Sequence, residues 1–417
     1  MRILNRLIVV LAFLSILLYF FSLKKYTSKI IYENNRTKNL ATKLTATEVT
    51  DEGFSFLESL IEDKKIILLG EQAHGDGTSQ ELKTKLILYL SDKGYDVVLF
   101  ESPLYKTEQN WSSLETGGKI DFSESLYKFW SKAQENQELF DMIARKAHSE
   151  SPVYLSGIDY QYPIRFSQPK ITNELKEYFK GFGTFKKEEY NLLWDCFENR
   201  LGPILYLNNS PNSRKKRERL PTIIKQIEKL ENLIDNKDSQ TRSDRFVKRG
   251  LNNIRDFFYA KANLNDAAQS HFRDSVMFEN AKWLIDTIYP NKKVVIWAAN
   301  AHLINDQASK TMGAYLKKYF KDEVYTILFT SYKGATRNIS NEQIQKVAPA
   351  IESSTEYILA EKYSGTVYVS PYKNLKDSTS VMRFLGYRNI NDKWFGKLDG
   401  FFFINTMHPI SFTNGDL

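Results

Sequence analysis

The chain has one cysteine among 417 residues, so it cannot close a disulfide within itself. Cys196 stands between Trp194 and Phe197 in an aromatic, helix-patterned stretch, where packing suits it better than nucleophilic work. Histidines number only five, with no His-Glu-x-x-His and no closely spaced pair, which leaves a metal site the weaker reading. No Gly-x-Ser-x-Gly elbow follows a strand pattern, and no glycine-rich loop runs into Lys-Ser or Lys-Thr. Elbow-type serine hydrolases and P-loop enzymes are thereby set aside. Glycine, proline and serine do not cluster, which argues against long disordered tracts. The formal charge of +8 is also less than it looks. Residues 1–29 hold five basic side chains and no acid, leaving +3 for the rest, too little for a nucleic-acid stripe.

What is present begins with a hydrophobic N-terminus. Residues 7–23 are apolar except for two serines. At about 1.5 Å per residue, a helix of that length just reaches across a thin hydrocarbon layer. Basic residues precede it and no small-x-small cleavage site follows at 19–23, so residues 1–26 read as a transmembrane anchor in preference to a removed signal segment. Positive charge flanks both sides and leaves orientation open; the body is expected outside the cytoplasm, in the cell envelope. Residues 27–50, rich in Lys, Asn and Thr, read as a polar stalk, and folding is expected to begin near Asp51 and fill 51–417.

Four short apolar runs, 65–70, 96–100, 153–158 and 293–298, are bounded by turn residues and separated by helical patterns. They predict an α/β fold whose central sheet is mainly parallel and flanked by helices. Further runs at 325–329, 366–369 and 401–404 read as strands. Leu82, Leu86 and Leu90 mark one helical face ended by Gly94, with Thr78 and Glu81 in the form of a capping box. Residues 166–265 show no strand signal after the third of the four strands and read as a helical insertion, with Ile223, Ile227, Leu230 and Ile234 at helical spacing. The basic run 214–219 reads as a solvated loop. Met277, Ala281, Leu284 and Ile288 mark a later helix stopped by Pro290.

Each of the four runs ends by delivering polar chemistry: Glu71 and His74 after the first, Glu101 after the second, Asp159 after the third, Asn300 and His302 after the fourth. Ligands of a parallel sheet sit beyond its strand carboxyl ends, so these groups should meet in one cleft. A histidine there can take a proton from water, and a neighbouring Glu71 can orient it or raise its basicity. Glu101 follows a buried strand, where a carboxyl pKa tends to rise. Each group has a plainer reading, as a hydrogen-bonded turn residue or a cap. Four at one rim are harder to explain that way.

Those residues resemble the erythromycin esterase family. The likeness rests on Gly70-Glu71-Gln72-Ala73-His74-Gly75, Phe100-Glu101, Gly157-Ile158-Asp159-Tyr160-Gln161, Arg273-Asp274 with Met277, Asn280 and Trp283, and Trp297 with Asn300-Ala301-His302, in order across about 51–410. It implies a hydrolase without metal or cofactor that opens an ester or macrolide-type lactone by activating water, an activity tied to antibiotic resistance. His74 would be the base, Glu71 and Glu101 would hold the water or proton path, and His302 would assist at the carbonyl. Lys83, Asp159, Gln161, Arg273 and Asn300 would face a small-molecule substrate. Two positions depart from the family pattern: Ala299 replaces the first histidine of His-Asn-x-His, and Lys83 stands where arginine is usual, without its planar two-pronged contact. Relatives are also associated with exopolysaccharide biosynthesis. The alternative is a noncatalytic envelope protein holding a glycan or cofactor in the same cleft.

Overall fold

The computed structural model describes residues 44–49, 53–118, 121–161, 173–180, 182, 211–371 and 373–413. The expected anchor, the tract through residue 43 and Cys196 lie outside the described residues. Among the described residues no helix is long and apolar enough to cross a membrane.

A nine-stranded sheet forms the centre, in the order β1-β8-β11-β6-β2-β5-β3-β4, with β7 added beside β6. In sequence the strands are β1 (Leu44–Glu48), β2 (Ile66–Leu69), β3 (Tyr95–Pro103), β4 (Tyr154–Asp159), β5 (Lys293–Trp297), β6 (Val324–Arg337), β7 (Ile344–Val347), β8 (Thr366–Pro371) and, after the separate pair β9 (Ser380–Met382) and β10 (Ile390–Asp392), β11 (Gly400–Met407). The six from β11 to β4 are mutually parallel, while β8 runs antiparallel to β11, β1 to β8 and β7 to β6. The sheet is therefore mixed but mostly parallel.

Continuous apolar runs follow from burial on both faces, since alternate side chains enter different cores. Ile67, Leu69, Val98, Phe100, Val295 and Trp297 pack with Leu82, Leu86 and Leu90 of helix α1 (Gly77–Asp92). Ile66, Leu68, Val97, Leu99, Val294 and Ile296 pack on the other face with Met277, Ala281 and Leu284. Fully burying each such side chain is worth about 1.5–3 kcal/mol, so a polar residue at either parity would be costly. After β3 come α2 (Leu104–Glu115) and, before β4, α3 (Gln137–Lys146).

The insertion after β4 is helical where described: a segment at 173–179, then α4 (Pro211–Asp235) and α5 (Arg242–Asn263). Ile223, Ile227, Leu230 and Ile234 face Leu251, Ile254 and Phe258 in a third core of their own. Next come α6 (Asp266–Trp283), a π-turn at Leu284–Ile288, and, following β5, α7 (Asn300–Leu303), α8 (Met312–Phe320) and α9 (Thr355–Lys362).

Three local expectations are corrected. The basic run 214–219, read as a loop, lies within helix α4. Leu44–Glu48, in the tract 27–50 read as stalk, is an edge strand of the sheet; its polar composition suits an edge and hides it from periodicity. The capping box at Thr78 and Glu81 does not form. Asp76 occupies the N-cap, the Thr78 hydroxyl accepts the His408 N–H at 2.9 Å, and Glu81 faces solvent beside Lys85. The box forms instead at Thr241 and Asp244, opening α5.

Candidate active site

Strand register aligns the four predicted ends. Leu69 of β2 pairs with Trp297 of β5, Trp297 with Phe100 of β3, and Phe100 with Gly157 of β4, so one row crosses the sheet just below Glu71, Ala298–Asn300, Glu101 and Asp159. Glycine permits the close packing this needs. A Cβ on Gly70 would lie 2.0 Å from Asn300 Oδ1, and one on Gly75 would lie 1.8 Å from the carbonyl oxygen of Arg337. The Asn300 N–H donates to the Glu71 carbonyl at 2.8 Å, tying the loops after β2 and β5 together.

Glu71 organises the first cluster. Its Oε1 lies 2.5 Å from His74 Nδ1, and its Oε2 accepts from Lys83 Nζ at 2.6 Å and Trp297 Nε1 at 2.8 Å. Complete burial pushes this carboxyl upward, yet Lys83 and His74 more than offset it and hold it at about 2. Glu71 is thus a fixed charge. Burial disfavours charged His74, but the hydrogen bond and charge of Glu71, with Glu101 adding, raise the ring above its ordinary value; His302 pulls it back. The His74 side chain keeps 23% of its surface exposed while Glu71 and Lys83 keep none. Phe129 stacks on the imidazole at 4.5 Å and Trp130 meets it edge-on.

His302 centres the second cluster. Nδ1 lies 2.5 Å from Asp274 Oδ1, and Nε2 lies 3.2 Å from Glu101 Oε1 and 3.1 Å from Arg273 Nη1. Arg273 forks onto Asp159 through Nε at 3.2 Å and Nη2 at 2.6 Å, and also donates to Glu101 at 2.7 Å. Glu101 Oε2 accepts the Ala299 N–H at 3.0 Å. Burial works against a charged His302, but Glu101 and Asp274 raise it to about 10. Burial likewise pushes Glu101 up, and His302 with Arg273 hold it well below the usual carboxylate range. The two carboxylates thus favour the protonated form of His302. The two clusters feel each other, since Glu101 and His302 both shift the titration of His74.

The structure brings Glu71, His74, Glu101, Asp159, Arg273 and His302 to one rim, with the remaining three behind or beside it. Lys83 is wholly buried and serves Glu71, its ammonium 4.4 Å from the Trp297 ring centroid. Asn300 spends its side-chain amide on the carbonyls of Phe329 and Phe384, at 2.8 and 2.9 Å. Gln161 enters through its backbone N–H, which donates to Asp159 at 3.1 Å. The resemblance implies substrate contact for all three, whereas burial and backbone bonding make the first two supports of the loops. Sequence reasoning assigned no role to Asp274, whose signal was its place beside Arg273 on one helix. Nor did it give Trp297 a polar role or Phe129 any; nothing in their spacing announces those contacts.

Comparison with known proteins identifies the family and the fold. A family model described as Erythromycin esterase matches residues 90–399. The chain is 26% identical over 402 residues to the protein named Putative hydrolase YbfO of Bacillus subtilis (strain 168), covering 87% of this chain and 86% of that one. A succinoglycan biosynthesis protein of solved structure superposes with a TM-score of 0.73 at 16% identity, over 91% of this chain and 99% of its own. A Bacillus cereus protein gives 0.71 at 18%, over 92% and 99%. A mutant of erythromycin esterase EreC in its open conformation gives 0.61 at 16%, over 89% and 97%. At these identities the structural likeness speaks to fold alone.

Proposed function

The chain belongs to the erythromycin esterase family, and on that premise we propose that it hydrolyses a carboxylic ester or lactone of a small, macrolide-like molecule with His74-activated water. The observation that carries this is the Glu71–His74 hydrogen bond on a partly exposed ring, placed within electrostatic reach of a charged His302.

Glu71 engages Nδ1 and directs Nε2 to the water. His74 takes one water proton as the oxygen bonds to the carbonyl carbon. Negative charge develops on the carbonyl oxygen, which the imidazolium of His302 and the guanidinium of Arg273 would stabilise. Collapse breaks the ester C–O bond, and His74 returns its proton to the departing alkoxide, giving acid and alcohol. Asp274, Glu101 and Asp159 keep the two cations in place.

The apolar run at 7–23 supports a membrane anchor, and we propose that the domain stands outside the cytoplasm, in the envelope. Incubation of purified protein with a panel of esters and macrolides tests the reaction. Turnover should give a product heavier by one water, and His74→Ala should lower kcat by about 10²–10⁴-fold without unfolding. No turnover across the panel, with saturable binding of an unchanged ligand that survives His74→Ala, would instead favour a noncatalytic binder.

A further inference from the structure

Among the segments that bond the turn carrying His74 is a short one between β9 and β10. Gln72 donates through Nε2 to the Arg383 carbonyl at 2.5 Å and accepts from Ser331 Oγ at 3.1 Å, while the Gly386 N–H donates to the Gln72 carbonyl at 3.2 Å. On the far side of His74, Asp76 is fully buried; its Oδ2 accepts the Ala73 N–H at 3.0 Å and its Oδ1 accepts the Tyr387 hydroxyl at 2.6 Å. Tyr387 sits at φ +64°, a left-handed conformation that is strained for a non-glycine residue and persists only when its surroundings impose it. Arg383 imposes it, bonding the Tyr387 carbonyl through Nε and the carbonyls of Tyr332 and Ala348 through Nη1.

We propose that Asp76 and Tyr387 are positioning residues for His74: the phenol holds the buried carboxylate, the carboxylate holds the Ala73 amide, and the closed turn aims the imidazole. The proposal rests on His74 as the base and assigns a role to two residues that touch no substrate. Their chemistry gives the pair a distinctive signature. Burial raises Asp76 to about 6 against the pull of its hydrogen-bond donors, with Glu71 on the same turn pushing further. Thr336 from β6 and Tyr387 face it from other elements, and Lys83 of α1 feels its charge. Protonation of Asp76 weakens its hold on Ala73 N–H, so acid should loosen the turn as well as protonate His74.

Asp76→Asn and Tyr387→Phe, made in the full chain, test this through kcat, KM, pH–rate profiles on an ester the wild type cleaves, and NMR titration of the His74 ring. Both variants should lower kcat about 10–100-fold with KM within about twofold, as slight misplacement of a base does. Tyr387→Phe should raise the Asp76 ionisation within the acid limb, since Asp76 loses a donor that favours its charged form. Asp76→Asn should leave a shallower limb governed by His74 alone. The His74 titration should fall toward the ordinary histidine value in both, as its bond to Glu71 loosens. The NMR arm needs no turnover, so a wild type inactive on every ester would sink the catalytic reading while positioning is still measured. An unchanged His74 titration in both folded variants overturns the proposal, whatever the rates.

Discussion

His302 Nδ1 lies 2.5 Å from Asp274 Oδ1, joining α7 to α6 and leaving Nε2 for Glu101. The pairing gives the imidazolium a fixed orientation and a second counter-charge. Asp274→Asn keeps the shape and removes the charge, so the His302 pKa should drop from about 10 and the alkaline limb of the rate profile should move down with it. A fall in kcat/KM of about 10²-fold is expected, comparable to losing one group that stabilises an oxyanion. A pH–rate profile of this variant with an unmoved alkaline limb would remove the pair from the mechanism.

The same ring links stability to pH. His302 titrates at about 10 in the folded protein against an ordinary 6.5, so the folded state binds its proton more tightly. Its contribution is fully present below about pH 6.5 and disappears as pH rises through about 10. Thermal midpoints should therefore fall between pH 7 and 10 more steeply in the wild type than in His302→Gln. Parallel slopes would contradict the shift.

Lys83 offers a test of the buried Glu71 charge. Lys83→Met leaves the carboxylate without its ammonium partner in a site closed to solvent, and breaking a buried pair on one side costs about 3–5 kcal/mol. Denaturant unfolding should show a loss of that size, with Glu71 titrating higher. If the midpoint moves by less than the equivalent of about 1 kcal/mol, the pair is not a principal support.

Much of this was legible in the sequence because its carriers are local. Apolar runs at 65–70, 96–100, 153–158 and 293–298 name strands by composition, and the polar residue after each is at a rim by topology alone. Glu71, His74, Glu101, Asp159 and His302 were found that way. The direction in which a side chain turns was not legible. Lys83 and Asn300 lie close enough to the rim to be read as ligand contacts, yet one is drawn inward by a buried carboxylate and the other by two backbone carbonyls. Edge strand β1 and the β9–β10 pair escaped for another reason. They are short and partly polar, and β1 has its partner far away in sequence, Leu44 opposite Pro371, so pairing and not periodicity defines them. The Asp76–Tyr387 bond spans 311 positions and left no pattern to read.

Direct attack of His74-activated water is tested most closely by a single turnover with enzyme in excess in ¹⁸O-water, followed by mass spectrometry of both product and intact protein. Attack by water predicts one ¹⁸O in the product carboxylate during the first turnover, no acyl adduct on the protein at any time, and loss of the reaction in His74→Ala. An acylated protein, or first-turnover product without label, would contradict it.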